Sequence, residues 1–179
     1  MAKWIIEPEH TVAHFKVRHM MITDVHGQFN RISGEIIFDP QDIKSTAVSI
    51  EIDASSIFTG VEARDDHLRS EDFLDVQKYP KIVFKSCSVE VAGISSLKIF
   101  GDLTIRDVTK PVLLHAEYFG PAQYEDETGA YKSMGFSAST HLNREDFGIT
   151  WNNYFGAGNF MVGKHLDITL NMEADLAGE

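Results

Sequence analysis

Cysteine is almost missing from these 179 residues: Cys87 is the single one, so no disulfide can form within the chain. Its Ser86-Cys87-Ser88 setting inside a strand-like run reads as a buried structural thiol. Long apolar runs are missing too. Nowhere do about 18 apolar residues follow one another, and the start, Met-Ala-Lys-Trp-Ile-Ile-Glu-Pro, has no stretch of signal-peptide length. As written, the chain is expected in the cytoplasm, or in the periplasm if a leader has been trimmed. Positive charge is scarce: 16 Lys and Arg stand against 27 Asp and Glu, for a net charge of −11. That excludes nucleic acid as a main partner and argues against an anionic membrane surface, with transient membrane contact left open. No internal repeat or low-complexity segment divides the chain. Its length fits one domain, residues 1–179, large enough to bury well over half of its unfolded surface without a metal or cofactor to hold it together.

Signatures of catalysis are equally thin. Asp146-Phe147-Gly148 spells a kinase metal-binding tripeptide, but neither the phosphate loop nor the catalytic loop accompanies it. Gly156-Ala157-Gly158 lacks the third glycine and the preceding strand of a dinucleotide fingerprint. His10 and His14 have helical metal-ligand spacing, yet the run between them is strand-like and lacks the glutamate of a zinc-protease motif. Ser55, Ser56 and Thr59 have no His and Asp at matching spacing, so nucleophilic catalysis has little support.

What is present is alternation. Ala13, Phe15 and Val17 share one face of a strand, and Val48, Ile50 and Ile52 share another in the cleanest two-residue pattern of the chain. Further inward sets follow from Ile82, from Leu97 to Ile105, from Val112 to Tyr118, from Met134 to Thr140, and from Leu166 to Met172. Gln28 to Phe38 changes parity, which predicts a bulge at Ser33-Gly34. His19 to Ile22 reads as a helical turn, Arg106-Asp107 as a two-residue hairpin, Gly120 to Gly129 as an exposed acidic loop, and Asn143 to Phe160 as irregular.

One stretch breaks the pattern. Val61 to Pro80 is strongly helical, with an apolar side of Leu68, Phe73, Leu74 and Tyr79 and a wet side of Arg64, Asp65, Arg69 and Asp72. Asp65 with Arg69 and His67 with Glu71 are spaced as helical pairs worth about 0.3–0.5 kcal/mol each. Ser55-Ser56 and Thr59-Gly60 are placed to cap this segment. It is a lid or plug candidate, and His67 within it is either a structural hydrogen-bonding group or one that meets a polar ligand head. About eight antiparallel strands make a sandwich or a barrel, and the large inward aromatics favour a barrel. Whether its interior is filled or hollow is not decided by periodicity.

Several blocks taken together resemble the YceI-like family. They are Trp4 with Pro8-Glu9-His10-Thr11 and Phe15; Arg64-Asp65-Asp66-His67-Leu68 with Asp72-Phe73-Leu74-Asp75-Val76, Tyr79-Pro80 and Phe84; Gly101 to Ile105; and Asn143-Arg144-Glu145-Asp146-Phe147-Gly148. The match runs in order over nearly the whole chain. It implies an all-β fold, an extended eight-stranded antiparallel lipocalin-like barrel with a helical insertion at about residues 61–80. It also implies a homodimer with no required cofactor that encloses a polyisoprenoid or an isoprenoid quinone, and no enzymatic activity. Glycine is common in the family where Asp107 stands, a position at which aspartate tolerates left-handed backbone.

On that expectation Phe15, Val17, Phe29, Phe38, Ile50, Ile52, Leu68, Phe73, Phe84, Leu103, Leu114, Phe136, Ile168 and Leu170 line an apolar tunnel, with Arg64 and His67 at a polar mouth. The function expected is carriage or storage of an isoprenoid lipid. Two other readings compete. One is an enzyme using His67, Asp65 and Arg64 as acid-base groups, and the other is a stress-related interaction module.

Overall fold

Two-residue alternation dictates strands with one buried face, and the structure wraps them into a ring of sequence neighbours. The computed structural model describes residues 1–126, 129–156 and 158–177. Long β1 (Ala2–His19) is shared by β2 (Thr23–Phe29), beside its second half, and β3 (Ile32–Phe38), beside its start. Next, β4 (Ala47–Asp53) pairs with β3, and β5 (Ile57–Phe58) pairs with β2. Helix α1 (Glu62–Arg69) follows, then β6 (Lys81–Val91), which pairs antiparallel with β4, and β7 (Ser96–Ile105), β8 (Val108–Asp126) and β9 (Gly129–Asn143), each antiparallel to the one before. A small hairpin of β10 (Tyr154–Phe155) and β11 (Asn159–Phe160) precedes β12 (Val162–Leu176). Pairing of β12 with both β9 and β1 closes an eight-stranded antiparallel barrel, as the fold class implied by the sequence requires.

The interior has two halves. Around the chain termini, Trp4, Ile36, Phe38, Leu97, Met134, Phe136 and Ala174 interlock, with Phe38 edge-on to Phe136 at 5.7 Å between ring centres. At the other end Phe15, Ile57, Phe73, Leu74, Ile82 and Ile149 form a second cluster, to which α1 and the segment after β9 contribute.

Several local expectations are corrected. The parity change in the second strand path lies at Asn30-Arg31 rather than at Gly34, whose pairing with Ile50 is in register. Gly34 is needed instead because a Cβ there would run into the Ser49 carbonyl oxygen. The strand break at 30–31 is matched by one at 54–56 in the adjacent path, and the Ser56 hydroxyl accepts both Asn30 N–H and Arg31 N–H at 3.2 Å. Cys87 is exposed rather than buried, because the β6–β7 register shifts between Ser86 and Ser88 and moves the inward set from Ile82 and Phe84 to Val89. Gly120 to Gly129 is no loop: β8 and β9 continue as a paired hairpin past a register shift, and its tip at 127–128 lies outside the described residues.

His19 to Ile22 is a hairpin turn, not a helical one. Met20 (φ 49°) and Met21 (φ 61°) are both left-handed, and Ile22 N–H donates to His19 O at 3.1 Å. Side chains with a Cβ resist this backbone at a cost of roughly 1–2 kcal/mol per residue. At the β7–β8 turn it is Arg106 (φ 57°), rather than Asp107, that takes the left-handed conformation.

The helical segment is shorter than its pattern predicts. Only Glu62–Arg69 is helix, and 70–79 folds back in turns through Leu74 N–H to Leu68 O and Val76 N–H to Arg69 O, both 3.0 Å. Val61 is the N-cap and makes no side-chain cap bond, so the expected serine or threonine cap is absent. Asp65 is buried, at 3% exposure, and accepts from Thr59 N–H and Oγ1–H instead of pairing with Arg69. Arg69 turns to Asp66 and to the Ser55 and Ile57 carbonyls, and His67 pairs with Asp72 instead of Glu71.

The matched strand breaks are pinned by Asp53. Its carboxylate accepts from Ser55 N–H (2.8 Å), Ser55 Oγ–H (2.7 Å) and Arg31 Nε–H (2.9 Å). Burial pushes this carboxyl upward, but those three donors together outweigh it and hold it below the ordinary value. A lowered folded value contributes stability above the unfolded-state value, and the contribution is lost as pH falls through the folded one. Asp53→Ala is therefore expected to lower Tm by about 2–4 °C at pH 7, a cap's worth of stability, with the gap to wild type narrowing below about pH 4 in thermal melts.

Candidate functional site

Two segments roof the barrel end opposite the termini, and each is fastened by polar groups to its own neighbours. On the first, Arg64 donates to Thr59 Oγ1 (2.7 Å) and Thr59 O (2.9 Å), while Arg69 donates to Ser55 O (3.0 Å) and Ile57 O (2.8 Å). Helix α1 is thereby tied to β5, and its one strongly apolar edge, continued by the turns after it, sends Leu68, Phe73 and Leu74 downward.

The second roof segment runs from Asn143 to Met161. A 3-10 turn, Arg144–Phe147, ends at Gly148, whose left-handed φ of 74° reverses the chain without a Cβ penalty. Arg144, 5% exposed, donates to Gly163 O (2.9 Å), Ile149 O (2.7 Å), Trp151 O (2.9 Å) and Val162 O (3.3 Å). Burial lowers its proton affinity, opposed by the charge of Glu145, and a guanidinium still remains protonated. Asn152 works as a substitute strand: its Oδ1 accepts from Met161 N–H and Val162 N–H, each 3.0 Å, and its Nδ2 donates to Val162 O at 2.7 Å. The two segments meet through rings, with His67 edge-on to Trp151 (4.6 Å) and to Phe73 (5.0 Å), and Phe73 5.2 Å from Trp151.

Beneath this roof lies a cavity of about 180 Å³. Its wall includes every residue expected from the sequence to line a tunnel except Phe38 and Phe136: Phe15, Val17, Phe29, Ile50, Ile52, Leu68, Phe73, Phe84, Leu103, Leu114, Ile168 and Leu170 all border it. Phe38 and Phe136 belong to the packed half, where their rings fill the barrel against Tyr118. Arg64 and His67 do not border the cavity either. Arg64 is spent on Thr59, and His67 stands one layer outside the wall, against Phe73 and Trp151. The polar residues in the wall are His14, Thr140 and Arg144. No group of three or more His, Cys, Asp or Glu residues is placed to hold a metal among the described residues.

The family profile of the YceI-like domain matches residues 4–174. The chain belongs to the YceI family. It is 37% identical over 150 residues to a UPF0312 protein of Vibrio cholerae, covering 83% of this chain and 78% of that one. Its fold is similar to the Campylobacter jejuni YCEI protein (30% identity, TM-score 0.69, 90% of each chain). It is also similar to a polyisoprenoid binding domain from Saccharophagus degradans (11% identity, TM-score 0.71, 99% of this chain and 100% of that one).

In this YceI-family barrel the two sequence blocks richest in charge, Arg64 to Pro80 and Asn143 to Gly148, are the two halves of the roof. Sequence reasoning missed the second half. Arg144, Phe147, Ile149 and Val162 border the cavity, yet their stretch lacks any two-residue period. Arg144→Met strands four inward-facing carbonyls. It is expected to cost about 3 kcal/mol or more and lower Tm by roughly 6–12 °C in thermal denaturation followed by circular dichroism. Arg144→Lys recovers little of this, because an ammonium cannot span the same fork of acceptors.

Proposed function

We propose that this chain binds an isoprenoid lipid, a polyprenyl chain or the tail of an isoprenoid quinone, in the cavity beneath its roof and carries or stores it without chemical change. The observation that carries this reading is the wall itself: an apolar lining at the roofed end of a barrel, covered by two segments whose only charged contribution to it is a guanidinium already matched by carbonyls. The shared fold of a polyisoprenoid binding domain supports it.

Size sets the terms. Apolar cavities of about 150 Å³ hold a benzene-sized guest, so 180 Å³ receives about one five-carbon isoprene unit without rearrangement. At ~0.8 kcal/mol per buried methylene, each unit gains about 4 kcal/mol against water. Three units gain of order 10 kcal/mol, and eight exceed the practical ceiling of about 18–21 kcal/mol before costs. A tail already dissolved in a membrane is out of water, so it gains little of this on transfer. What the barrel offers is solubility in transit, with the fit of the first units setting selectivity. The acid-base alternative loses its geometric basis, since Arg64 and Asp65 are engaged with Thr59, His67 is engaged with Asp72, and none of the three borders the cavity.

Leu103→Trp fills the cavity and is expected to reduce the prenyl lipid recovered from purified protein by about tenfold, measured by organic extraction and mass spectrometry. Unchanged recovery would refute the assignment. His67→Ala removes two ring contacts worth about 0.5–1.5 kcal/mol each, so it should keep binding but speed release of a fluorescent prenyl probe by roughly 5- to 150-fold. Loss of turnover of an identified substrate in that variant would favour the enzyme instead.

A further inference from the structure

The turn between β1 and β2 breaks its own local rules. Left-handed backbone at both central positions of a hairpin turn favours Asn-Gly, yet the chain places Met20-Met21 there and follows them with Ile22. All three side chains face outward: Ile22 is 78% exposed and Met21 46%. Tyr154, 69% exposed, belongs to the same edge, since Met20 N–H donates to Met161 O (2.8 Å) and Met161 N–H donates to Asn153 O (2.9 Å). This edge continues the cavity wall, because Val17 and Val162, the neighbours of the turn and of Met161, border the cavity.

The charges around the edge are neutralised in place. Arg18 pairs with Asp24 at 3.0 Å and Lys164 with Glu145 at 2.9 Å, so the −11 of the whole chain does not act at this point as an unpaired acidic surface. Flexible thioether and branched apolar side chains at a protruding tip, with a tyrosine beside them, have the composition that settles into the boundary between lipid head groups and acyl chains. A soluble protein partner would also accept such a patch. The position of this one at the roofed end of an apolar cavity favours the surface from which an apolar cargo would come.

We propose that Met20, Met21, Ile22 and Tyr154 form a membrane-docking edge that seats the roofed end of the barrel on an electrically neutral phospholipid bilayer. The inference rests on the lipid-binding reading for its purpose, but it can be tested without any cargo. The probe is phosphatidylcholine vesicles free of prenyl lipid, with the full-length chain measured by flotation. The variant Met20→Asn/Met21→Gly installs the residues this turn prefers, so its Tm is expected to equal or exceed wild type.

Its vesicle-bound fraction is expected to fall by at least about fivefold, as is that of Ile22→Lys, while Met20→Leu/Met21→Leu retains wild-type binding. Equal flotation of wild type and the Asn-Gly variant, or no flotation of either, overturns the proposal. So does a wild type that self-associates through this edge, seen as a dimer by sedimentation that the Asn-Gly variant abolishes with no difference on vesicles. Recovery of prenyl lipid from the same preparations is scored separately, so failure of docking and failure of cargo binding are told apart.

Discussion

The guanidinium of Arg144 needs acceptors, and with no ion pair to a carboxylate among the described residues it takes them from the backbone. Four carbonyls from 149, 151, 162 and 163 have to converge on one plane to satisfy it. That requirement folds the described residues of the excursion between β9 and β12 into a fixed cap rather than leaving a free loop. Trp151 is consequently held where it meets His67 and Phe73, and the other half of the roof is positioned against it. The cavity exists because this cap rests on the barrel rim without its side chains entering far enough to fill the space below.

The two barrel halves show why one end is solid and the other hollow. Near the termini, Phe38 points at both Phe136 and Tyr118, and three rings at centroid distances of 4.8–5.7 Å span the interior. Near the roof, Phe15 and Phe29 are adjacent on neighbouring strands, 5.8 Å apart, and so crowd the same wall instead of facing each other across the barrel. Aliphatic residues such as Ile50, Leu114 and Ile168 complete that level. Filling therefore depends on whether large residues oppose or accompany one another, and not on their number alone.

Period-two patterning displayed the strands and the inward residues with little error, because burial of one face imposes it directly. It failed wherever an added residue reset the phase. Cys87 was placed inside by parity, and only the shifted pairing of β6 with β7 reveals it as the bulged, exposed position. Gly34 drew attention as the break, whereas the break fell at Asn30-Arg31, where Ser56 supplies the missing acceptor from another strand path. Helical spacing likewise showed which roof residues are apolar but assigned the wrong polar partners. Asp65 looked like a solvent-facing half of an ion pair, yet it is buried against Thr59, a choice set by how α1 lands on β5. Long-range backbone acceptors such as those of Arg144 leave no spacing signature at all.

The path a long tail would take follows from comparing the two ends. A chain of several isoprene units outgrows a 180 Å³ space, so it must continue either through the packed half or out past the roof. Passage through the packed half means displacing Phe38 and Phe136, and vacating such positions costs about 3–5 kcal/mol each by the standard of large-to-small core changes. Parting the roof at its seam breaks the His67–Trp151, His67–Phe73 and Phe73–Trp151 contacts, about 0.5–1.5 kcal/mol apiece, and leaves the hydrogen bonds that anchor each segment to the barrel untouched. The seam is thus the weaker boundary by several kcal/mol, roughly the gain from burying one more isoprene unit. A tail longer than the cavity should thread between the two roof segments, with the depth of insertion limited by the aromatic plug at the far end.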